Sequence, residues 1–310
     1  MNEMNLFDGE KKNNLVHYEG ILGVFHYDPE EFEVRKIWHH EYLHYHGNGK
    51  SVDLPKGCTN TSYMFFECKL PEGFSLGEDF NTGKVTDMEH MFSYCKLPEG
   101  FSLGEHFDTS NVTDMSSMFR SCKLSEGFSL GEHFDTSKVT EMYGMFAFCK
   151  LPEGFSLGEH FDTSNVTDMR YMFYGCKLTE KFSLGHKFDT SNVVNMGGMF
   201  KDCKLPDGFY LGEHFDTSNV TDMRCMFSCC KLPEDFSLGK KFDTSKVTDM
   251  HCMFWGCKLP RDFLLGEHFN VCRVTDMSYM FNHCSYSNSD IYDYFKTQSD
   301  SEIIEKLRKH

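Results

Sequence analysis

The chain has 310 residues and a formal net charge of −16, from 31 Lys and Arg against 47 Asp and Glu. That balance argues against nucleic acid and anionic membranes, which need a basic footprint, and is compatible with a basic protein surface. No apolar run approaches the roughly 18 residues of a membrane span. The start, Met1–Glu10, lacks the basic and apolar regions of a secretory signal, so the cytoplasm is the expected compartment.

Residues 1–19 are polar and read as a loose end or a short first element. Ile21–Tyr27 reads as a strand, Asp28–Glu31 as a turn and Phe32–Tyr45 as one or two strands. Gly47-Asn48-Gly49 is a hairpin turn signal, from which Ser51–Leu54 returns. Residues 1–60 are therefore expected to form a β-rich N-terminal cap. Inside it, His40-Glu41-Tyr42-Leu43-His44 matches the His-Glu-x-x-His zinc-protease pattern. That chemistry needs a helix with both histidines on one face. Trp38, Tyr42 and Tyr45 favour a strand instead, and Lys50 stands where the longer form of the motif has its third histidine. Incidental metal binding by His39, His40, His44 and His46 is the weaker alternative; a plain strand is the expectation.

From Cys68 onward one unit of 27 residues runs eight times in succession, opening on Cys68, Cys95, Cys122, Cys149, Cys176, Cys203, Cys230 and Cys257. Cys284 would open a ninth copy, where the pattern stops. A fixed period of this size predicts a solenoid over residues 61–284, with one coil per copy. The apolar burial of a single coil falls short of the entropy of ordering its backbone, so copies must stack and both ends need caps. Met115, Met118, Phe119 and Cys122 fall at i, i+3, i+4 and i+7, with Asn111 and Asp114 as a cap before them, so a short helix is expected from Val112. Phe101–Leu103, between Gly100 and Gly104, reads as a short strand. One strand and one helix per coil is an α/β, leucine-rich-repeat-like solenoid; a right-handed parallel β-helix is the competing reading. Residues 285–310 are expected to form a helical C-terminal cap. It has a helix from Ser299 to Lys309, and Ile291, Tyr292, Phe295, Ile303, Ile304 and Leu307 cover the last coil.

Several ladders carry candidate chemistry. The repeated cysteines, nine of the chain's fourteen, suit buried thiols serving as small apolar fillers, although coil spacing alone would permit disulfides. Cys225, Cys229, Cys252 and His251 could make a tetrahedral zinc site; drift to small neutral residues is the plain reading. Asp108, Asp135, Asp162, Asp189, Asp216 and Asp243 read as turn-forming carboxylates, with calcium as the alternative. His106, His133, His160, His214 and His268 read as a solvated edge.

Most positions in the unit barely change. The exceptions are the pair between the methionines and the pair before the cysteine, expected to face outward. They supply Tyr143, Phe148, Arg170, Tyr171, Tyr174, Arg224 and Trp255, residue types that dominate interface energetics. A second candidate surface is the strand face, with Ser75, Ser102, Ser129, Ser156, Ser183 and Ser237 interrupted by Tyr210 and Leu264.

The run Phe-Asp-Thr-Ser-Asn-Val-Thr-Asp-Met-x-x-Met-Phe-x-x-Cys, as at Phe107–Cys122, resembles the tandem repeats of BspA-like leucine-rich-repeat surface proteins of bacteria. The resemblance covers residues 61–284. It implies a leucine-rich-repeat-like solenoid and a binding role, of the adhesion type or regulatory, rather than an enzyme. It also implies a cell-surface or secreted location. The chain departs from that family in lacking a signal peptide and in carrying the insert Lys-Leu-Pro-Glu-Gly-Phe-Ser-Leu-Gly-Glu-His. The expected function is a monomeric, non-enzymatic scaffold without cofactor, binding a protein or a cell-surface glycan through Tyr143, Phe148, Arg170, Tyr171, Tyr174, Tyr210, Arg224 and Trp255. The alternatives are a metal-binding protein or metal-dependent hydrolase using His40 and His44, and a structural, self-assembling solenoid.

Overall fold

A computed structural model of the chain describes residues 15–37, 40–47, 49–261 and 263–285. The cap helix expected within 285–310, with Ile291 to Leu307, lies outside the described residues, as does His39.

The N-terminal part contains two antiparallel pairs. β1 (Val16–Gly20) pairs with β2 (Gly23–Tyr27), and β3 (Phe32–Ile37) pairs with β4 (His40–Tyr45). The expected hairpin at Gly47–Gly49 does not bring the chain back onto β4. Instead β5 (Ser51–Val52) runs parallel to β6 (Ser75–Leu76). β5 therefore serves as a first rung for the repeats rather than as another strand of the cap. The cap's apolar residues, including Phe25, Phe32, Leu43 and Tyr45, join the same core as the repeats. Two glycines let the chain cross itself here. Gly23 (φ +117°) and Gly57 (φ +103°) face each other, and a Cβ on either would overlap a backbone oxygen of the other segment.

The copies lie side by side in parallel, 27 residues apart. One ladder of bridges runs Asn60, Asp87, Asp114, Glu141, Asp168, Asn195, Asp222, Asp249, Asp276. A second joins Lys69, Lys96, Lys123 and Lys150, and resumes from Lys177 through Lys258 to Ser285. The repeated apolar residues fill one continuous core. On the side of the Met115–Cys122 turns it holds a file of nine phenylalanines from Phe65 to Phe281, with ring centroids 5.1–5.9 Å apart and planes within 8° of parallel. Two files on the other side are spaced more widely. Phe74, Phe101, Phe128 and Phe155 are 6.2–6.5 Å apart, and Phe134, Phe161 and Phe188 are 6.5 Å apart. The rings of successive copies are thus closer in the Phe119 file than in the Phe101 file.

The helix expected from Val112 is not formed, and the described residues contain no α-helix. Met115–Cys122 is two successive turns. Met118, Arg120 and Cys122 donate their amides three residues back, to Met115, Ser117 and Phe119. The alternate amides, of Met115, Ser117, Phe119 and Ser121, donate to Glu141, Tyr143, Met145 and Ala147 of the next copy. A helix would spend all of these bonds internally; this arrangement spends half of them on joining the copies. Met115, Met118, Phe119 and Cys122 are still all buried. Phe101–Leu103, expected as a strand, is extended but unassigned, and only the first copy carries a strand there, as β6.

Side chains complete the joints. Seven threonines, Thr82 through Thr244, are buried, and each hydroxyl donates to a carbonyl of the next copy at 2.7–2.8 Å. The cysteines do similar work in the other direction. The Cys176, Cys203, Cys230, Cys257 and Cys284 thiols donate to the carbonyls of Phe146, Phe173, Phe200, Phe227 and Phe254, at 2.5–2.9 Å. Burial pushes Cys176 up to about 12 and Cys203 and Cys230 well above the ordinary thiol range, which keeps them protonated and inert. The Asp108 series forms turns: Asp108, Asp135, Asp162, Asp189, Asp216 and Asp243 each accept the amide two residues on, at 2.7–2.9 Å.

Candidate binding face

The paired turns of successive copies build one face, bordered by the Asp114 ladder on one side and the Cys122 ladder on the other. Its geometry starts from the backbone. Both residues that close the turns are left-handed in every copy. At the first position stand Tyr63, His90, Ser117, Tyr171, Cys225, Cys252 and Tyr279; at the second, Glu67, Tyr94, Ser121, Phe148, Asp202, Cys229 and His283. All have φ of +53° to +60°. Glycine takes the same two places at Gly144, Gly198, Gly175 and Gly256. A non-glycine residue there costs about 1–2 kcal/mol, so the backbone would be better served by glycine at every one. The side chains held at these positions are the ones that vary.

The face is not uniformly outward. Ser117, Gly144, Ala147, Gly197 and Gly198 are buried between neighbouring copies. Their smallness makes room for large neighbours. Phe148 lies across Gly175, where an added Cβ would sit 2.6 Å from its ring. Tyr171 lies across Gly198 in the same manner.

Five of the eight expected site residues meet in one cluster. Tyr143 packs edge-on against Tyr171 at 5.7 Å, Tyr171 against Tyr174 at 5.6 Å, and Tyr174 against Phe148 at 4.3 Å. Three cations cap these rings: Arg170 over Tyr143 at 5.2 Å, Lys201 over Tyr174 at 5.2 Å and Arg120 over Phe148 at 5.6 Å. Arg170 is also forked onto Asp168, which raises its pKa further and fixes the guanidinium in place. The other three stand apart. Tyr210 is exposed among the serines of the opposite edge. Arg224 is engaged by Asp222 and lies 3.7 Å from Asp249. Trp255 meets His283 edge-on at 5.5 Å.

Two further features of the face were missed. A second aromatic group occupies the first copies, where Tyr63 stacks on His90 at 4.7 Å, beside Tyr42, Phe66 and Tyr94. Beside it the bordering acids crowd. Burial, then Asp114 and Asp87, raises Glu89 to about 7. Burial also raises Asp87 and Glu141. The signal for this crowding in the sequence is the repeated Asp before each Met, a residue type that also suits a helix cap.

The metal arrangements do not assemble. His40 and His44 lie on strand β4, where four residues separate them by about 13 Å, too far to share an ion. His44 is buried, and its ring is held neutral by burial first and Arg35 second, down to about 4. Among the described residues no group of three or more His, Cys, Asp or Glu side chains is arranged to hold a metal ion, including the Cys225 group. Among them, too, no helix is long and apolar enough to cross a membrane.

These joints, repeated at a 27-residue interval, define a tandem-repeat protein. The chain belongs to the family described as Mycoplasma protein of unknown function, DUF285, whose model matches residues 59–153, 153–237 and 233–303 in succession. No curated protein and no solved structure matches the chain.

Proposed function

We propose that the protein is a non-enzymatic interaction scaffold: a single solenoid whose turn face binds a protein partner, in the manner implied by its likeness to BspA-like surface proteins. Parallel bridges between equivalent residues and the lack of α-helix among the described residues favour the β-helix form of solenoid over the leucine-rich-repeat form. One observation carries the binding reading. The strained left-handed positions hold Tyr171 and Phe148, and glycines in the next copy are placed to seat them. Backbone strain retained at variable surface positions is characteristic of functional sites. The rings and their capping cations are also the residue types that anchor interfaces.

The test is affinity capture with the immobilised protein from extracts of its source cell and of that cell's surroundings, alongside a glycan array. Tyr171→Ala with Tyr174→Ala should abolish capture. Tyr210→Ala, on the opposite edge, should leave it intact. Loss in Tyr210→Ala alone would move the site to the serine edge, and binding on the array alone would make the partner a glycan.

A further inference from the structure

Nine of the chain's cysteines belong to the ladder that opens each copy; three of the others break the pattern. Cys225, Cys229 and Cys252 lie on the turn face and are half-buried rather than buried. Cys225 and Cys252 occupy the same place in adjacent copies. The Cys225 amide donates to the His251 carbonyl at 2.8 Å, which brings the two cysteines alongside each other. Backbones joined at β spacing, about 4.8 Å apart, put their Cα atoms inside the window a disulfide allows.

What distinguishes the pair is its surroundings. The Cys252 Sγ lies 3.2 Å from the His251 Nε2. The other nitrogen, Nδ1, is 2.7 Å from the Ser278 Oγ, which donates to the Asp276 Oδ1 at 2.6 Å. That chain places the imidazole proton on Nδ1 and leaves Nε2 as an acceptor facing the thiol. A cysteine, an oriented imidazole and a carboxylate behind it form an activating arrangement for a thiol nucleophile. Nothing in the scaffold requires it, since Ser117 and Tyr171 fill the same place in other copies.

We propose that Cys252 is a reactive thiol and Cys225 its resolving partner, forming a reversible disulfide between adjacent copies by exchange with small disulfides. Cys252 gives its proton to His251 Nε2 and attacks one sulfur of the small disulfide, whose other half leaves as a thiolate. Cys225 then gives its proton to the thiolate already released, attacks the Cys252 sulfur of the mixed disulfide and expels the second small thiolate, which takes the proton held on His251. Two protein thiols are oxidised to one disulfide, and one small disulfide is reduced to two thiols. Because equivalent residues of parallel copies point the same way, the bond closes under strain, which makes it easily reduced again. Burial, and after it Cys225, pushes Cys252 up to about 11, so exchange is slow at neutral pH and depends on the imidazole.

The experiment treats the full-length protein with oxidised glutathione, alkylates the remaining thiols and digests it with trypsin without reduction. The expected product is Cys225–Lys231 linked to Val247–Lys258 through Cys225 and Cys252, with two fewer alkylated thiols, fully reversed by dithiothreitol. Cys225→Ser should stop at the glutathione mixed disulfide on Cys252. His251→Gln should slow its formation at least tenfold at pH 7.5, while Cys229→Ser changes neither rate nor product. Linkage through Cys229, a mixed disulfide confined to other cysteines, or an unchanged rate in His251→Gln would overturn the assignment.

Discussion

Ser121 shows what the turn face costs. It is left-handed at φ +53°, half-buried, and occupies a place that glycine takes at Gly175 and Gly256. Ser121→Gly removes a penalty of about 1–2 kcal/mol and adds back part of it as unfolded-chain entropy. The expected outcome is a gain of about 0.5–1 kcal/mol, read as a higher urea midpoint with an unchanged slope. His44 has the opposite kind of consequence. The unfolded chain takes up a proton below the ordinary value of 6.5, whereas the folded ring resists until about 4. Its contribution is complete above pH 6.5 and lost as pH falls from there towards 4, by about 3 kcal/mol in all. Glu89, raised to about 7, works against this: its contribution is present below the ordinary carboxylate range and lost as pH rises through 7. The difference in unfolding free energy between wild type and His44→Leu, measured from pH 4.5 to 8, isolates the histidine. It should shrink steadily below pH 6.5; a difference independent of pH would mean that the ring is not held neutral.

At the scale of the repeated element, much of the packing could be read in advance and little of the backbone. Met115, Met118, Phe119 and Cys122 are legible as inward because spacing of i, i+3, i+4 and i+7 marks one side of any chain segment that turns about once in four residues. Two linked turns satisfy that spacing as well as a helix does. Hydrogen bonding decides between them, and the deciding bonds run to a residue 26 positions away, which no local pattern reveals. Thr163 illustrates the same limit. It follows a turn-forming Asp and carries no signal of its own, yet its hydroxyl donates to the Asp189 carbonyl at 2.7 Å in the next copy. Thr163→Val keeps the shape and leaves that carbonyl without its donor, so a loss of about 1–2 kcal/mol is expected in thermal or urea unfolding. The candidate residues on the face were legible as variable aromatics and arginines. Their grouping was not, because the seating of Phe148 and Tyr171 depends on Gly175 and Gly198, which looked like mere variation.

For the whole molecule, the period itself is the strongest constraint. Every joint links positions about 27 residues apart, so register is preserved by removing a whole copy and destroyed by removing part of one. Deleting residues 177–203 should leave a cooperatively melting protein with an unchanged circular-dichroism spectrum, because Phe173 then meets Phe227 as it now meets Phe200. Deleting residues 177–189 should cost the ordered structure of everything downstream, seen as lost signal and rapid proteolysis. Equal behaviour of the two deletions would show that the copies are not held by their neighbours.

The unequal spacing of the phenylalanine files has a geometrical corollary. Rings 5.1–5.9 Å apart on one side and 6.2–6.5 Å apart on the other describe wedges rather than slabs, and wedges laid together make an arch. The narrow edge of each wedge is the one carrying the paired turns. The number of copies therefore sets the angle through which the inner surface sweeps as well as its length, and a rounded object would be embraced to a degree fixed by how many units the chain contains.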